Sequence, residues 1–257
     1  MLSKNKFKFI KSLESKKHRI EAGLFVAEGD KLASEILNSS YSLTYIAATE
    51  EWFHKNQGPA LNRCPEKDVV NSKELDKLSF LQTPQNVICV VKLPKYNINF
   101  ENFKNNLSLI LDTVQDPGNL GTILRIADWF GIEHIICSIN TADVFNPKVI
   151  QSTMGSICRV KVYYEELDEI LPMIKSLKLP VYGTTLKGEN IYDASLTNYG
   201  FIMMGNESKG INPAWMHMLD KQLVVPFYPE SKRRSESLNV ATATAIVCSE
   251  FRRRKIL

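Results

Sequence analysis

The sequence predicts an α/β protein of two domains, and three observations support that fold class. From about residue 107 onward, short apolar segments alternate with segments of helical period, a pattern typical of β-α-β units around a parallel sheet. Residues 1–95 also mix helical and strand patterns but hold fewer elements, which predicts a smaller α/β domain. Between them, the polar stretch 92–106 contains a proline and has no clear period. We therefore predict a linker at 96–106 and a second domain at 107–257.

The elements follow in order along the chain. In the first domain the patterns predict helices at about 4–18 and 28–38 and strands at 43–49 and 86–92. The second domain has six apolar strand segments, at 107–112, 133–139, 158–164, 179–185, 200–205 and 222–227. Helical periods lie between them, at 121–131, 146–156, 166–178 and 212–220, and a last helix is predicted from Leu238 to about Arg253, with Leu238, Ala241, Ala245 and Cys248 on one face.

The charge of the chain is concentrated at its start. The net charge is +4 over 257 residues, and residues 1–95 hold 15 Lys and Arg against 11 Asp and Glu, whereas 96–257 hold 17 of each. Within 1–19 there are seven basic residues and one acidic residue. Such a field favours a polyanion, and a solvated helix face is the alternative interpretation.

Several classes of protein are disfavoured by composition. No apolar run approaches the roughly 20 residues that cross a bilayer, and lysines interrupt the apolar stretches at the start, so we expect a cytoplasmic protein. The five cysteines form no close pairs in the sequence, and we expect reduced thiols rather than a disulfide framework or a metal site.

Three strand-to-helix loops carry polar residues where a parallel sheet usually binds its ligand, at the carboxyl ends of its strands. The first, 112–131, contains Gly118, Asn119 and Gly121 before Arg125, and could equally be a tight turn with a surface arginine. The second, 203–213, ends an apolar strand in Gly205, Asn206 and Glu207, and a plain turn is the alternative. In the third, 235–247, Ser235 or Ser237 could cap the last helix, which leaves Asn239 without a structural role.

Together these loops resemble the SpoU (TrmH-type) branch of the SPOUT superfamily of RNA 2′-O-ribose methyltransferases. The pattern N-x-G-x-x-x-R is met by Asn119, Gly121 and Arg125, and G-N-E-x-x-G is met by residues 205–210. The pattern P…S-L-N-V is met by Pro226 and residues 237–240. Residues 11–37 resemble the family's substrate-binding domain, which has a ribosomal-protein-like fold.

The resemblance implies a cofactor, a fold and an oligomeric state. The cofactor would be S-adenosyl-L-methionine, the parallel sheet would contain a deep trefoil knot, and the protein would be a homodimer through the knotted domain, with no metal. The residues implied in cofactor binding are Thr184, Leu186, Gly188, Gly205, Asn206, Val225, Pro226, Phe227 and Leu238.

The implied catalytic residues are Asn119, Arg125, Glu207, Ser237 and Asn239. A guanidinium stays protonated in proteins, so we expect Arg125 to position the substrate phosphate and stabilise the developing alkoxide, with direct action as a base as the alternative. Glu207 would orient Arg125 or the substrate, and the two asparagines and Ser237 would hold ribose and phosphate and join the loops.

RNA affinity would come from exposed cations, namely Lys4, Lys6, Lys8, Lys16, Lys17, Arg19, Lys232, Arg233 and Arg234. Ribosomal RNA is the expected substrate, with transfer RNA as the second choice. The competing interpretation is a non-catalytic RNA-binding or ribosome-assembly protein that retains the fold. A nicotinamide-dependent enzyme is disfavoured because the first loop lacks a complete G-x-G-x-x-G pattern.

Overall fold

The computed structural model describes residues 2–228 and 237–256. The chain forms two compact units. Unit 1 comprises Met1–Lys95 and Asp143–Cys158, and unit 2 comprises Tyr96–Ala142 and Arg159–Leu257.

Unit 1 is built on a four-stranded sheet in the order β1-β4-β2-β3, in which β4 runs antiparallel to β1 and β2 and β3 runs parallel to β2. Its strands are β1 Leu24–Glu28, β2 Leu43–Ala48, β3 Glu66–Val69 and β4 Val87–Lys92. Its helices are α1 Lys4–Ser12, α2 Lys16–Ala22, α3 Asp30–Leu37, α4 Glu50–Lys55, α5 Pro59–Asn62, α6 Ser72–Leu78 and α8 Pro147–Thr153, with a 3-10 turn at Ser156–Cys158.

The helix predicted at 4–18 is two helices. Helix α1 ends where the Ser12 hydroxyl donates to the Phe9 carbonyl, a local bond that competes with continuation of the helix, and α2 restarts after Ser15. Ile10 and Leu13 are buried in the core of unit 1. Residues 2–13 are therefore part of this folded unit as well as carriers of charge.

The segment 143–158 lies in unit 1, although the prediction placed it in the domain 107–257. The ring of Phe145 lies 4.9 Å from the ring of Phe25 on β1, which is fully buried. Asp143 forms an ion pair with Arg19, which is 2% exposed. An apolar contact and a buried charge pair thus fix the segment on this unit.

Unit 2 contains a six-stranded sheet in which all neighbouring strands are parallel, in the order β10-β8-β9-β5-β6-β7. The predicted parallel sheet is confirmed. Its strands are β5 Leu107–Leu111, β6 His134–Ser138, β7 Lys161–Glu165, β8 Val181–Asn190, β9 Gly200–Met204 and β10 Lys221–Val224. Its helices are α7 Pro117–Trp129, α9 Leu167–Ser176 and α10 Val240–Ile256, with 3-10 helices at Phe100–Phe103 and Pro213–Met218.

The stretch predicted as a linker packs into unit 2. Phe103 is fully buried in the core of the sheet, its ring 5.1 Å from that of Phe201, and Tyr96, Ile98 and Phe100 pack against the same cluster. Apolar residues alternate with asparagines at 96–100, a period of two that the linker prediction did not use.

Helix α10 is anchored at the end of α7 by one of its arginines. The Arg252 guanidinium donates to the carbonyls of Phe130, at 2.7 Å, and Gly131, at 2.9 Å, where α7 ends. Two further cations, Arg253 and Arg254, pair with Glu250, whose carboxylate is buried. Over residues 2–228 and 237–256, no helix is both long and apolar enough to span a membrane.

Candidate active site

Three loops meet at the carboxyl edge of the parallel sheet of unit 2. They follow β5 and β9 and precede α10, and they are the three loops that the sequence singled out. Hydrogen bonds between side chains join each loop to the next, so the candidate site can be built from the strand ends outward.

The conformation of the loop after β9 depends on two glycines and on Asn206. A Cβ atom on Gly205 would collide with backbone atoms of Gly210 and Ile211, and Gly210 has a left-handed φ of +70°. The Asn206 Oδ1 accepts from the backbone N–H groups of Ser208 and residue 209, and a bridge pairs Asn206 with Gly210. The result is a compact turn that presents Glu207 toward the loop after β5.

Glu207 is held by three N–H donors from that loop. Its carboxylate accepts from the backbone of Gln115 at 3.4 Å and Asp116 at 3.3 Å, and from Asn119 Nδ2 at 3.1 Å. These groups surround the start of α7, where a negative charge is stabilised by the helix dipole. The described contacts of Glu207 do not include Arg125, so the expected orientation of Arg125 by Glu207 is not observed.

Asn119 and Asn239 connect the first loop to the start of α10. Because Asn119 Nδ2 donates to Glu207, its Oδ1 faces the other way and accepts from Asn239 Nδ2 at 2.9 Å. The donors thus point in one direction, from Asn239 to Asn119 to Glu207. We call this series of side chains the asparagine relay.

Asn239 also caps α10, a role that the sequence led us to assign to a serine. Its Oδ1 accepts from the backbone N–H groups of Ala241 at 3.0 Å and Thr242 at 3.2 Å, as an N-cap residue does. Asn239 lies before the helix begins, so the helix-propensity argument against it does not apply. Ser237 precedes the cap on the surface, and Ser235 lies outside the described residues.

Arg125 lies on α7, six residues after Asn119, with an exposed side chain. In the part of the chain that the structure describes, its guanidinium has no hydrogen-bond or ion-pair partner. Five N–H donors in a rigid fork are therefore available to an anionic ligand.

The sequence analysis gave no role to Asp112 and Thr113, the two residues that follow β5. Asp112 is 4% exposed, and its two oxygens accept from the Thr113 hydroxyl at 3.0 Å and from the backbone N–H of Asn212 at 2.8 Å. Thr113 has a φ of +60°, which is strained for a β-branched residue by about 1–3 kcal/mol. Its N–H donates to Ser138 and its carbonyl accepts from Asn206 Nδ2, so its neighbours hold it in that conformation. The available signal was a carboxylate directly after a five-residue strand of which four residues are leucine or isoleucine.

The residues predicted to bind a cofactor lie on β8, after β9 and after β10. Strand β8 pairs with β10 on both sides of a register shift, so that residues 184–188 bulge from the ladder. A Cβ atom on Gly188 would collide with the backbone of Gln222. The Thr184 hydroxyl donates to the Met203 carbonyl at 2.9 Å. These contacts bring the predicted backbone segments of β8, β9 and β10 together.

Apolar side chains in the same set are exposed. Leu186 is 65% exposed and Leu238 is 50% exposed, and Phe227 is also on the surface. Leu238 precedes α10, which begins at Val240, so the prediction that the helix begins at Leu238 is wrong. Exposed apolar groups beside a tightly packed backbone are what an apolar ring of a ligand requires.

The predicted RNA-binding cations of unit 1 fall into two groups. Lys4, Lys8, Lys16 and Lys17 are exposed, and Lys17 lies 3.9 Å from a carboxylate oxygen of Glu21. Lys6 forms ion pairs with Glu66 and Asp68, which raise the pKa of its ammonium group. Arg19 is buried and paired with Asp143, which leaves it no surface for a phosphate and corrects its assignment. Lys232, Arg233 and Arg234 lie outside the described residues.

A metal site has no support in residues 2–228 and 237–256. No group of three or more His, Cys, Asp or Glu side chains is arranged there to hold a metal ion. The charged groups of the candidate site include the guanidinium of Arg125 and the carboxylates of Asp112, Asp116 and Glu207, each of which accepts N–H or O–H donors of the loops.

Comparison with known proteins places this chain in a family of RNA methyltransferases. Residues 106–249 match the SpoU rRNA Methylase family, and residues 4–89 match the MRM3-like substrate binding domain. The chain is 31% identical over 248 residues to the 23S rRNA (guanosine(2553)-2′-O)-methyltransferase RlmP of Bacillus subtilis, with 96% of each chain covered.

Two solved structures are similar to this chain over nearly its whole length. A protein from Porphyromonas gingivalis assigned to the TrmH family of RNA methyltransferases superposes with a TM-score of 0.89 at 38% identity, covering 99% of both chains. An AdoMet-bound rRNA methyltransferase from Sinorhizobium meliloti gives a TM-score of 0.85 at 25% identity, covering 99% of this chain and 96% of that one.

Proposed function

Because this chain belongs to the SpoU rRNA Methylase family, we propose that it transfers a methyl group from S-adenosyl-L-methionine to a ribose 2′-hydroxyl of ribosomal RNA. The proposal is carried by the asparagine relay together with Arg125, which lies on α7 as Asn119 does. Among the described residues the guanidinium of Arg125 has no partner. That arrangement joins the three loops and leaves one cation available to the substrate.

The cofactor fits the residues present. Close backbone approach at Gly188 and Gly205 and the exposed apolar side chains of Leu186, Phe227 and Leu238 suit a nucleoside with a flat ring. When bound, S-adenosyl-L-methionine supplies a methyl group on an electrophilic sulfonium. The residues that would hold it are Thr184, Leu186, Gly188, Gly205, Asn206, Val225, Pro226, Phe227 and Leu238.

The protein's own groups have to position a weak nucleophile. A neutral ribose hydroxyl reacts only when it is aligned with the methyl group and its developing negative charge is stabilised. Arg125 would bind the neighbouring phosphate and that developing charge, since its guanidinium remains protonated. Asn119 and Asn239 each keep one N–H of their amide groups beyond the relay, which together with Ser237 would hold the ribose.

The test of this assignment is a pair of substitutions at Arg125. We expect Arg125→Ala to reduce the single-turnover rate of 2′-O-methylation by about 100-fold or more, in line with the loss of one transition-state charge contact. Arg125→Lys restores the charge without the fork and should recover only part of the rate. Cofactor binding, measured by calorimetry, should be unchanged in both. An Arg125→Ala enzyme with the wild-type rate would refute the assignment.

The same assay decides against the non-catalytic alternative. A ribosome-assembly protein that had kept only the fold would bind RNA without transferring a methyl group at any enzyme concentration. Mapping ribose methylation in total RNA from cells with and without the gene would then show no lost site. Loss of a single site in ribosomal RNA is the expected result.

We assign RNA binding to unit 1 through its exposed lysines. Each phosphate contact contributes about 0.7 to the slope of log affinity against log salt for single-stranded RNA. Replacing Lys4 and Lys8 by glutamine should lower that slope by up to about 1.4. Lys6→Gln in the same helix is the matched control, because its charge is already paired with two carboxylates. An unchanged slope in the double variant would exclude this role.

Substitution is preferable to truncation here. Deleting residues 1–19 would remove Ile10 and Leu13 from the core of unit 1 and would unfold it, so a lost affinity would carry no information about charge.

We further propose a homodimer through a knotted unit 2, in the cytoplasm where ribosomal RNA is modified. Family membership supports the knot and the dimer, and the exposed Trp129, at 85%, offers apolar surface for a second copy to cover. Free cysteines suit a reducing compartment. Light scattering should give twice the mass of one chain, and a monomer mass would refute the dimer.

A further inference from the structure

We propose that Asp112 is a positioning residue for methyl transfer, which holds the loop 205–212 against the end of β5 and thereby sets the place of Glu207. The inference rests on the proposed function for its kinetic consequence but not for its structural one. Asp112 would act through Asn212 and Thr113 and would touch neither substrate nor cofactor.

The first support is that both oxygens of the Asp112 carboxylate accept hydrogen bonds. Asp112 is buried, and each of its oxygens accepts a separate donor, the Thr113 hydroxyl and the Asn212 backbone N–H. Its own backbone N–H donates to the Met204 carbonyl at 2.8 Å, which extends the pairing of β5 and β9 by one residue. The carboxylate therefore lies at the point where the two strands that carry the loops separate.

The second support is the position of the loop between two ties. At its beginning, Asn206 Nδ2 donates to the Thr113 carbonyl at 2.8 Å, and at its end the Asn212 N–H donates to Asp112. Glu207 lies between these ties and reaches the start of α7. Both ties end on two consecutive residues, Asp112 and Thr113, so a displacement of either residue moves the whole loop.

The third support is the strained backbone of Thr113. A β-branched residue with a φ of +60° keeps that conformation only when its surroundings impose it. The Asp112 carboxylate accepts a hydrogen bond from the Thr113 hydroxyl, and the Ser138 hydroxyl accepts one from the Thr113 backbone N–H. Removing the carboxylate frees one of these restraints as well as the N–H of Asn212.

The chemistry of the contact predicts different results for two substitutions. Asp112→Ala removes both acceptors. Asp112→Asn keeps the shape and one oxygen for the Asn212 N–H, and the Thr113 hydroxyl can rotate to accept from the new amide. If Asp112 acts by position, the asparagine variant rescues what the alanine variant loses.

Asp220 provides a control in the same sheet. Its carboxylate also accepts a backbone N–H at 2.8 Å, from Val181, but it is exposed, pairs with Lys175 and lies at the opposite, amino end of β8. Asp220→Ala should therefore remove a carboxylate–backbone hydrogen bond from the same sheet without moving the loop 205–212.

The experiment has a structural arm and a kinetic arm. In ligand-free protein, hydrogen exchange of residues 205–212 should be at least about 10-fold faster in Asp112→Ala, and close to wild type in Asp112→Asn and Asp220→Ala. In single-turnover methylation, Asp112→Ala should be slower by about 100-fold, the effect of a misplacement of about 1 Å, with RNA affinity within about threefold of wild type. Asp112→Asn should recover most of the rate.

The outcomes separate this inference from the proposed function. Wild-type exchange at 205–212 in Asp112→Ala would overturn it, as would a rate loss of the same size in Asp220→Ala. If the wild-type protein transfers no methyl group to RNA, the proposed function fails, and the exchange arm still decides whether Asp112 holds the loop.

Discussion

Asn239 combines a structural and a proposed catalytic role, and two substitutions separate them. Asn239→Ala removes the cap of α10, worth about 1 kcal/mol, and the hydrogen bond to Asn119, worth about 0.5–1 kcal/mol at an exposed position. For a unit of this size the loss of about 1.5–2 kcal/mol corresponds to a decrease in Tm of about 3–8 °C. Thermal unfolding followed by circular dichroism measures it.

Asn239→Asp keeps the acceptor that caps the helix, and its charge suits the helix N-terminus. The aspartate cannot donate to Asn119 Oδ1. A flip of the Asn119 amide would not restore the contact without loss, because it would place Asn119 Oδ1 against the Glu207 carboxylate. We therefore expect a Tm within about 2 °C of wild type and a single-turnover rate lower by about threefold or more, as for a lost hydrogen bond.

Each half of this reasoning has its own refutation. An Asn239→Ala protein that unfolds at the wild-type temperature would show that the cap contributes nothing. An Asn239→Asp protein that methylates at the wild-type rate would show that the donor direction of the relay is irrelevant to turnover.

Three further predictions concern stability. Gly205→Ala places a Cβ atom against the Gly210 backbone and should destabilise unit 2 by about 3 kcal/mol or more in urea unfolding, and an unchanged midpoint would contradict this. Arg19→Ala leaves the Asp143 carboxylate without its partner and should cost about 3 kcal/mol in the same assay, whereas a surface role for Arg19 predicts almost no change. Burial lowers the pKa of His134 below its ordinary 6.5, so in acid the unfolded chain binds more protons than the folded chain. The contribution of neutral His134 to stability is therefore complete above pH 6.5 and is lost as the pH falls below 6.5. His134→Gln should flatten that decrease, and an unchanged pH dependence would contradict the assignment.

The parallel strands and the loops that carry the site could be predicted because both have strong sequence signals. Strands buried on both faces are continuous apolar runs, and polar residues directly after them stand out. Strand β3, with the sequence EKDV, was missed because it is a polar edge strand without alternation. The segment 212–220 was predicted as a helix and contains the 3-10 helix Pro213–Met218, which shares its composition.

Contacts distant in sequence could not be predicted in this way. Arg19 looks like its neighbouring lysines in the sequence, and only the approach of Asp143, 124 residues later, determines that it is buried. Asn239 gave no sign of capping because serines precede it, and the choice between them depends on where the backbone turns into α10. In both cases local sequence defines the chemistry of a side chain and tertiary structure defines its use.

The distribution of charge in the site explains why Glu207 and Arg125 can occur together without cancelling. An ion pair between them would neutralise the guanidinium that the proposed reaction needs. Instead the Glu207 carboxylate accepts three N–H groups at the start of α7, including Asn119 Nδ2, and is stabilised there by neutral donors and the helix dipole. Asn119 is an amide and adds no charge, so it can face Glu207 and Asn239 together. The negative charge thus fixes the loops, and the positive charge of Arg125 remains available for the anionic groups of the proposed reaction.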